Sequence, residues 1–136
     1  LSWLKSVTAH LKKDLNKTKY YVVLGDFNIA PEDIDVYDPK AWKDKILCSK
    51  KERDSLNNIC ALGFNDTFRI FPQEKEIFSW WDYRTGAFRR NRGLRIDLIL
   101  ANDNLANKCT SSYIDVEPRK NDRPSDHAPV VSVFDI

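Results

Sequence analysis

Leu4, Val7, Leu11 and Leu15 recur at helical spacing with lysines between them. That rhythm lays one apolar stripe along a helix and predicts an amphipathic helix over about residues 2–16. Tyr20-Tyr21-Val22-Val23-Leu24 follows as an unbroken aromatic and β-branched run into Gly25, the pattern of a strand buried on both faces. From Ala30 to Lys45 the chain is rich in Asp, Pro and Lys with scattered aromatics, which predicts a loop with at most a short helix. Ser49 followed by Glu52 is a capping-box pattern. Leu56, Ile59, Cys60 and Leu62 then supply the apolar face of a second helix that stops at Gly63. Ile77 to Trp81, Leu94 to Ala101, Ser112 to Val116 and Val130 to Phe134 are short apolar or alternating runs between polar loops and read as strands. There is no internal repeat. The expected architecture is α+β, a mostly antiparallel sheet covered by helices on one face.

The 136 residues are about one small domain. A hydrophobic share of 42% against 31% charged excludes a disordered or membrane chain, and no run approaches the roughly 20 apolar residues of a spanning helix. Lys and Arg exceed Asp and Glu by only 22 to 20, too little to identify a nucleic-acid binder by total charge. Cys48, Cys60 and Cys109 are an odd set without paired spacing or a histidine cluster, which fits reduced thiols in a cytoplasmic protein. The chain opens Leu1-Ser2-Trp3 and holds no methionine, so a fragment of a longer protein is expected.

Three short segments carry candidate chemistry. Gly25-Asp26-Phe27-Asn28 sets a carboxylate and an amide two residues apart where the first strand ends. Period-two spacing would turn both to one side if the strand continued, and the pair suits a hard metal ion together with a phosphate oxygen. The same residues are favourites of ordinary turns. Arg95-Ile96-Asp97-Leu98-Ile99-Leu100 inserts charge into an apolar strand, with Arg95 and Asp97 on one face by alternation. A lone strand aspartate more often faces solvent or pairs with the nearest arginine. Ser125-Asp126-His127-Ala128-Pro129-Val130 puts an aspartate and a histidine just before the last strand. A histidine there is commonly a surface residue, but beside Asp97 it has the makings of an acid/base group held by a carboxylate.

Trp80, Trp81, Tyr83 and Phe88 are interleaved with Arg84, Arg89, Arg90 and Arg92, a mixture that serves to clamp phosphates and stack bases or sugars. Trp81 and Tyr83 are expected in the core and Arg89, Arg90 and Arg92 on the phosphate-facing side. Arg119, Lys120 and Arg123 could add backbone contacts, although such a run is usually a solvated loop.

Together the three segments resemble the endonuclease/exonuclease/phosphatase superfamily. Phe78 to Arg84, Asn91 to Asp97 and Ser125 to Val130 resemble its exonuclease III type of apurinic/apyrimidinic endonuclease, and Ile34-Asp35 and Gly63 to Arg69 also fit. The resemblance runs from the first helix to nearly the last residue. It implies a DNase I-like four-layer α/β-sandwich of which residues 1–136 form the C-terminal half, the N-terminal half being absent. It also implies Mg²⁺, with Mn²⁺ possible, as cofactor. Double-stranded DNA with abasic sites or 3′ ends is then the partner, incised 5′ to abasic sites and degraded from 3′ ends.

By the same resemblance Asp26 orients or deprotonates the attacking water, and Asn28 binds a phosphate oxygen. Asp97 holds His127, and Asp126 joins Asp26 and Asn28 around the metal. Asn91 lies near the phosphate, Trp80 and Leu94 wall the pocket for the abasic sugar, and Arg90 and Arg92 meet DNA. The family's remaining metal ligands, a glutamate and an asparagine, and its phosphate-site tyrosine match no segment here. About half an active site is therefore expected. The alternatives are a superfamily phosphodiesterase acting on another phosphate ester, or an inactive DNA-binding fragment; the Trp80 to Asp97 stretch favours the DNA-repair branch over other esters.

Overall fold

The computed structural model describes residues 2–136, so Leu1 lies outside it. Helix α1 spans Ser2–Asp14 and tightens into a 3₁₀ turn at Leu15–Lys17, with Leu4 and Leu11 buried. Helix α2 is the short Pro39–Trp42, and α3 is Lys50–Ala61. The capping box of α3 is present: the Glu52 N–H donates to Ser49 Oγ at 3.2 Å, and the Ser49 N–H donates to Glu52 Oε1 at 3.4 Å. Such caps are worth about 1 kcal/mol. The helix stops at Gly63, whose φ of +119° is strained for any residue with a side chain.

Strand β1 (Val22–Asp26) pairs antiparallel with β5 (Asp97–Asn102), and β2 (Phe64–Asp66) pairs on the other side of β5. Two further antiparallel pairs complete the fold: β3 (Trp80–Trp81) with β4 (Gly93–Leu94), and β6 (Cys109–Ile114) with β7 (Val130–Phe134). Short helices α4 (Thr67–Ile70) and α5 (Asp103–Ala106) flank β5. The main core forms where Leu4 and Leu11 of α1 and Leu56 and Ile59 of α3 meet Leu98 and Leu100 of β5. One face of the three-stranded sheet thus lies under helices, as the hydrophobic pattern predicted.

Two expectations are corrected. β1 is an edge strand, with Val22 and Leu24 exposed, so it is not buried on both faces. The single strand expected over Leu94 to Ala101 is broken at Arg95–Ile96. There the Arg95 N–H donates to the Asp35 carbonyl at 2.8 Å, and the Ile96 and Asp97 N–H groups both meet Ser79 Oγ at 3.0 and 3.1 Å. Backbone donors satisfied by distant loops have no need of a neighbouring strand.

Arg95 itself is 1% exposed and forms a buried ionic cluster. Its Nε donates to Asp35 Oδ1 at 2.7 Å and its Nη2 to Asp66 Oδ2 at 2.6 Å, while Arg69 also pairs with Asp35. A guanidinium forked between two carboxylates ties the 3₁₀ turn at Asp33–Asp35 and the end of β2 to the start of β5. Gly93 admits the Trp81 indole close by: a Cβ there would stand 2.6 Å from Trp81 Nε1 and 2.7 Å from the Trp80 carbonyl.

Candidate active site

The β1–β5 register sets Asp26, the last residue of β1, directly opposite Asp97, the first of β5. Two carboxylates facing each other across a ladder repel. His127 occupies the gap. Its Nδ1 is 2.8 Å from Asp97 Oδ2, and its Nε2 is 3.6 Å from Asp26 Oδ2 and 3.7 Å from Asp126 Oδ1. Asp26, Asp97, Asp126 and His127 therefore meet at one end of the sheet from three separate stretches of chain.

The histidine loop is seated by the strand before it. The Trp81 N–H donates to the Asp126 carbonyl at 3.1 Å, and the Ala128 N–H donates to the Ser79 carbonyl at 2.8 Å. The Trp80 indole N–H donates to Asp126 Oδ2 at 3.0 Å. Ser79, fully buried, thus supports both the start of β5 and the residue after His127. Its role was not assigned from sequence; the only signal was a small polar residue inside the run Phe78-Ser79-Trp80-Trp81.

Electrostatics follow from this placement. Partial burial works against the His127 imidazolium, but the hydrogen bond and charge of Asp97, aided by Asp26 and Asp126, raise its pKa above the ordinary value. Burial also raises the Asp97 pKa, against the lowering effect of its bonds to His127 and Ser79. Both directions agree: the pair holds protons more tightly than the isolated groups would.

Other expected residues fall differently. Asn28 lies beyond the strand at φ +53°, and its N–H donates to Asp26 Oδ1 at 2.9 Å. The tetrapeptide is thus a turn as well as part of the site. Period-two alternation does not relate the two side chains, although Asn28 is exposed beside the cluster. Asn91 has both ends of its amide engaged, accepting from Trp81 Nε1 at 3.1 Å and donating to the Glu76 carbonyl at 3.0 Å. That side chain braces a loop. Leu94 is fully buried with Ala30, Val36 and Ile96 and cannot wall an open pocket; it pairs with Trp80, which is half-buried.

Trp80 does line a cleft of about 270 Å³ with Tyr37, Trp42, Asp82, Arg84 and Arg92. Arg89, Arg90 and Arg92 are exposed. Tyr83 is exposed, not core; its hydroxyl donates to the Pro124 carbonyl at 2.9 Å. Arg119 is buried and unavailable for DNA contact.

The carboxylates suit a hard cation. Asp26, Asp97 and His127 offer ligand atoms all within 4.8 Å of one another, and the Asp126 carboxylate faces the same ring nitrogen. Hard divalent ions prefer oxygen ligands. Asp26 and Asp126 are the donors that fit, since Asp97 is committed to the imidazole.

Known proteins share this arrangement of elements. The chain is 37% identical to exodeoxyribonuclease III of Haemophilus influenzae over 132 residues, which is 92% of this chain and 49% of that protein. Among solved structures, a 3′–5′ exonuclease from Neisseria meningitidis superposes with a TM-score of 0.96 at 41% identity, covering 99% of this chain and 53% of that one. An AP endonuclease from Archaeoglobus fulgidus superposes with a TM-score of 0.91 at 37% identity, over 99% and 53%. The chain spans about half the length of the curated bacterial relatives it matches. Its sequence from residue 2 to residue 127 matches one family along nearly the whole chain, and by that match it belongs to the Endonuclease/Exonuclease/phosphatase family.

Proposed function

We propose that the protein carrying this chain is a DNA-repair nuclease of the exonuclease III type, incising DNA 5′ to abasic sites and degrading duplex DNA from 3′ ends. The single observation that carries this is the His127 ring held by Asp97 through Nδ1, with Nε2 left facing Asp26 and Asp126. This geometry supplies a proton donor and a base on facing imidazole and carboxylate groups.

In this reading Asp26 orients a water molecule and takes its proton as the water oxygen bonds to phosphorus. His127, whose protonated form Asp97 favours, stabilises the charge on the phosphoryl oxygens and gives its proton to the leaving oxygen as the P–O bond breaks. Asn28, exposed at the turn after β1, binds a phosphate oxygen. Asp26 and Asp126, with Asn28 beside them, would hold Mg²⁺ or Mn²⁺, which when bound supplies Lewis-acid polarisation of the phosphate. The exposed Arg90 and Arg92 meet the DNA backbone, and the Trp80 cleft takes the sugar.

Residues 1–136 are read as the C-terminal half of the catalytic domain, completed by a preceding half; the coverage of relatives near one half supports this. No described helix is long and apolar enough to cross a membrane. Three free cysteines fit a cytoplasmic location.

The test is a nicking assay of the complete protein on a duplex with one abasic site, with Mg²⁺ and with chelator. Cleavage 5′ to the abasic site that needs the metal is expected. Absence of cleavage on that duplex, with hydrolysis of another phosphate ester, would replace DNA as the substrate.

A further inference from the structure

Arg119 is 6% exposed, yet it makes no ion pair among the described residues, and its Nε has no hydrogen-bond partner. The contrast is with Arg95, also buried but forked between Asp35 and Asp66. A buried charge without a counter-ion is costly unless other groups stabilise it. Around Arg119 those groups are three aromatic rings. Its guanidinium carbon lies 4.4 Å from the Phe88 ring centre, 5.5 Å from Trp81 and 6.0 Å from Tyr83, all within cation–π range.

The remaining contact is with the histidine loop. Arg119 Nη1 donates to the Ser125 carbonyl at 2.8 Å. The Tyr83 hydroxyl donates to the Pro124 carbonyl and the Trp81 N–H to the Asp126 carbonyl. Three successive carbonyls, 124 to 126, are thus each held by one aromatic-rich wall, and Arg119 holds the middle one. His127 follows two residues later, its own N–H bonded to Ser125 Oγ at 3.1 Å.

We propose that Arg119, caged by Trp81, Tyr83 and Phe88, is a positioning residue that sets Asp126 and His127 against Asp97 and Asp26. The proposal rests on the reading of His127 as an acid/base group. Arg119 makes no hydrogen bond to Asp97 or His127, so its effect travels through the Ser125 carbonyl. Misplacing a reacting group by about 1 Å can cost on the order of 10²-fold in rate.

The test compares R119M and R119K with the wild-type complete protein. Methionine keeps the apolar stem among the rings but removes the donor, whereas lysine keeps a cation and can still reach a carbonyl. For R119M, kcat on an abasic duplex is expected to fall about 10- to 100-fold with KM within about twofold, and R119K to recover part of that loss. Amide hydrogen exchange provides the second readout. In R119M the Trp81 and Ala128 amides, which seat the loop, should exchange faster while those of Leu98 and Leu100 stay protected.

A wild-type kcat in R119M, or a uniform loss of protection in β5 and the loop alike, would overturn the proposal. If the wild-type protein does not cleave the duplex, the nuclease reading falls by itself. The exchange pattern then decides alone: a selective loss at Trp81 and Ala128 supports the role of Arg119, and unchanged exchange there rejects it.

Discussion

Nδ1 of His127 lies 2.8 Å from Oδ2 of Asp97, a residue thirty positions earlier that opens the central strand. The bond fixes the ring with Nε2 outward, toward Asp26. Replacing His127 by alanine in the complete protein is expected to lower kcat by about 10²- to 10⁴-fold while DNA affinity changes little, because the loss falls on the transition state. Asp97→Asn should lower kcat in the same sense by removing the carboxylate charge that favours the imidazolium and fixes the tautomer of the ring. Single-turnover kinetics beside a binding titration measures both; wild-type turnover in H127A removes His127 from the mechanism.

The raised His127 pKa gives a pH signature. A histidine whose folded pKa exceeds its unfolded value of about 6.5 contributes stability that is fully present below that value. The contribution is lost as pH rises through the folded pKa. In metal-free protein the ring resonances of His127 should therefore titrate above about 6.5, and Asp97→Asn should bring the midpoint down. The pH slope of denaturant stability across that window should be shallower in H127A. An NMR midpoint unmoved by D97N would mean that the pair is not coupled.

How much of this was legible in the sequence depended on how local the cause was. The Ser49–Glu52 cap needs only residues three apart, and Val130–Phe134 needs only its own apolar run; both appear where the pattern puts them. The break before Asp97 was not legible, since it is made by the Asp35 carbonyl and the Ser79 hydroxyl arriving from distant loops. Arg119 reads as one more charge in a polar loop until three rings from the segment 81–88 close around it. Spacing identified Asp26, Asp97 and His127 as candidates. Only the β1–β5 register showed that the two carboxylates face each other and why a histidine between them is stabilising.

Arg90 and Arg92 are exposed on the loop between the 3₁₀ turn at Arg84–Gly86 and β4. Each, if it meets one phosphate, contributes about 0.9 to the slope of log affinity against log salt. R90A and R92A are expected to weaken DNA binding across sequences and to flatten that slope, which fluorescence anisotropy over a salt series reads directly. A mutant retaining the wild-type slope does not contact phosphate.

Asp35 has no exposed surface and accepts from Arg95, Arg69 and the Glu32 N–H. Asp35→Ala leaves the buried Arg95 with Asp66 as its one remaining carboxylate and takes from Arg69 the carboxylate it pairs with. Removing one partner of a buried pair costs about 3–5 kcal/mol. Urea denaturation of the variant should show a loss of that order, and a change under about 1 kcal/mol would mean water reaches the cluster.

Alternation along β1 sends Val23 into the α1–α3 core and leaves Val22 and Leu24 outward, 40% and 63% exposed. Across the ladder these two face Ala101 and Ile99 of β5, over which α4 and the β6–β7 hairpin pack. β1 receives no such cover, and it is also the edge of its sheet. An apolar strand face joined to open backbone donors and acceptors is a template for association. The 136-residue chain purified alone is therefore expected to self-associate, and the V22T/L24T pair, which places a β-branched, strand-favouring hydroxyl residue at both positions, should shift it toward monomer. Sedimentation velocity of the two proteins at matched concentration measures this. The complete protein adds a second arm: if a further layer of the domain covers β1, Leu24→Asp there buries a charge and lowers stability by several kcal/mol, whereas a bare face tolerates it. A monomeric wild-type chain together with a tolerated Leu24→Asp would show that the outward face of β1 is a plain solvated surface.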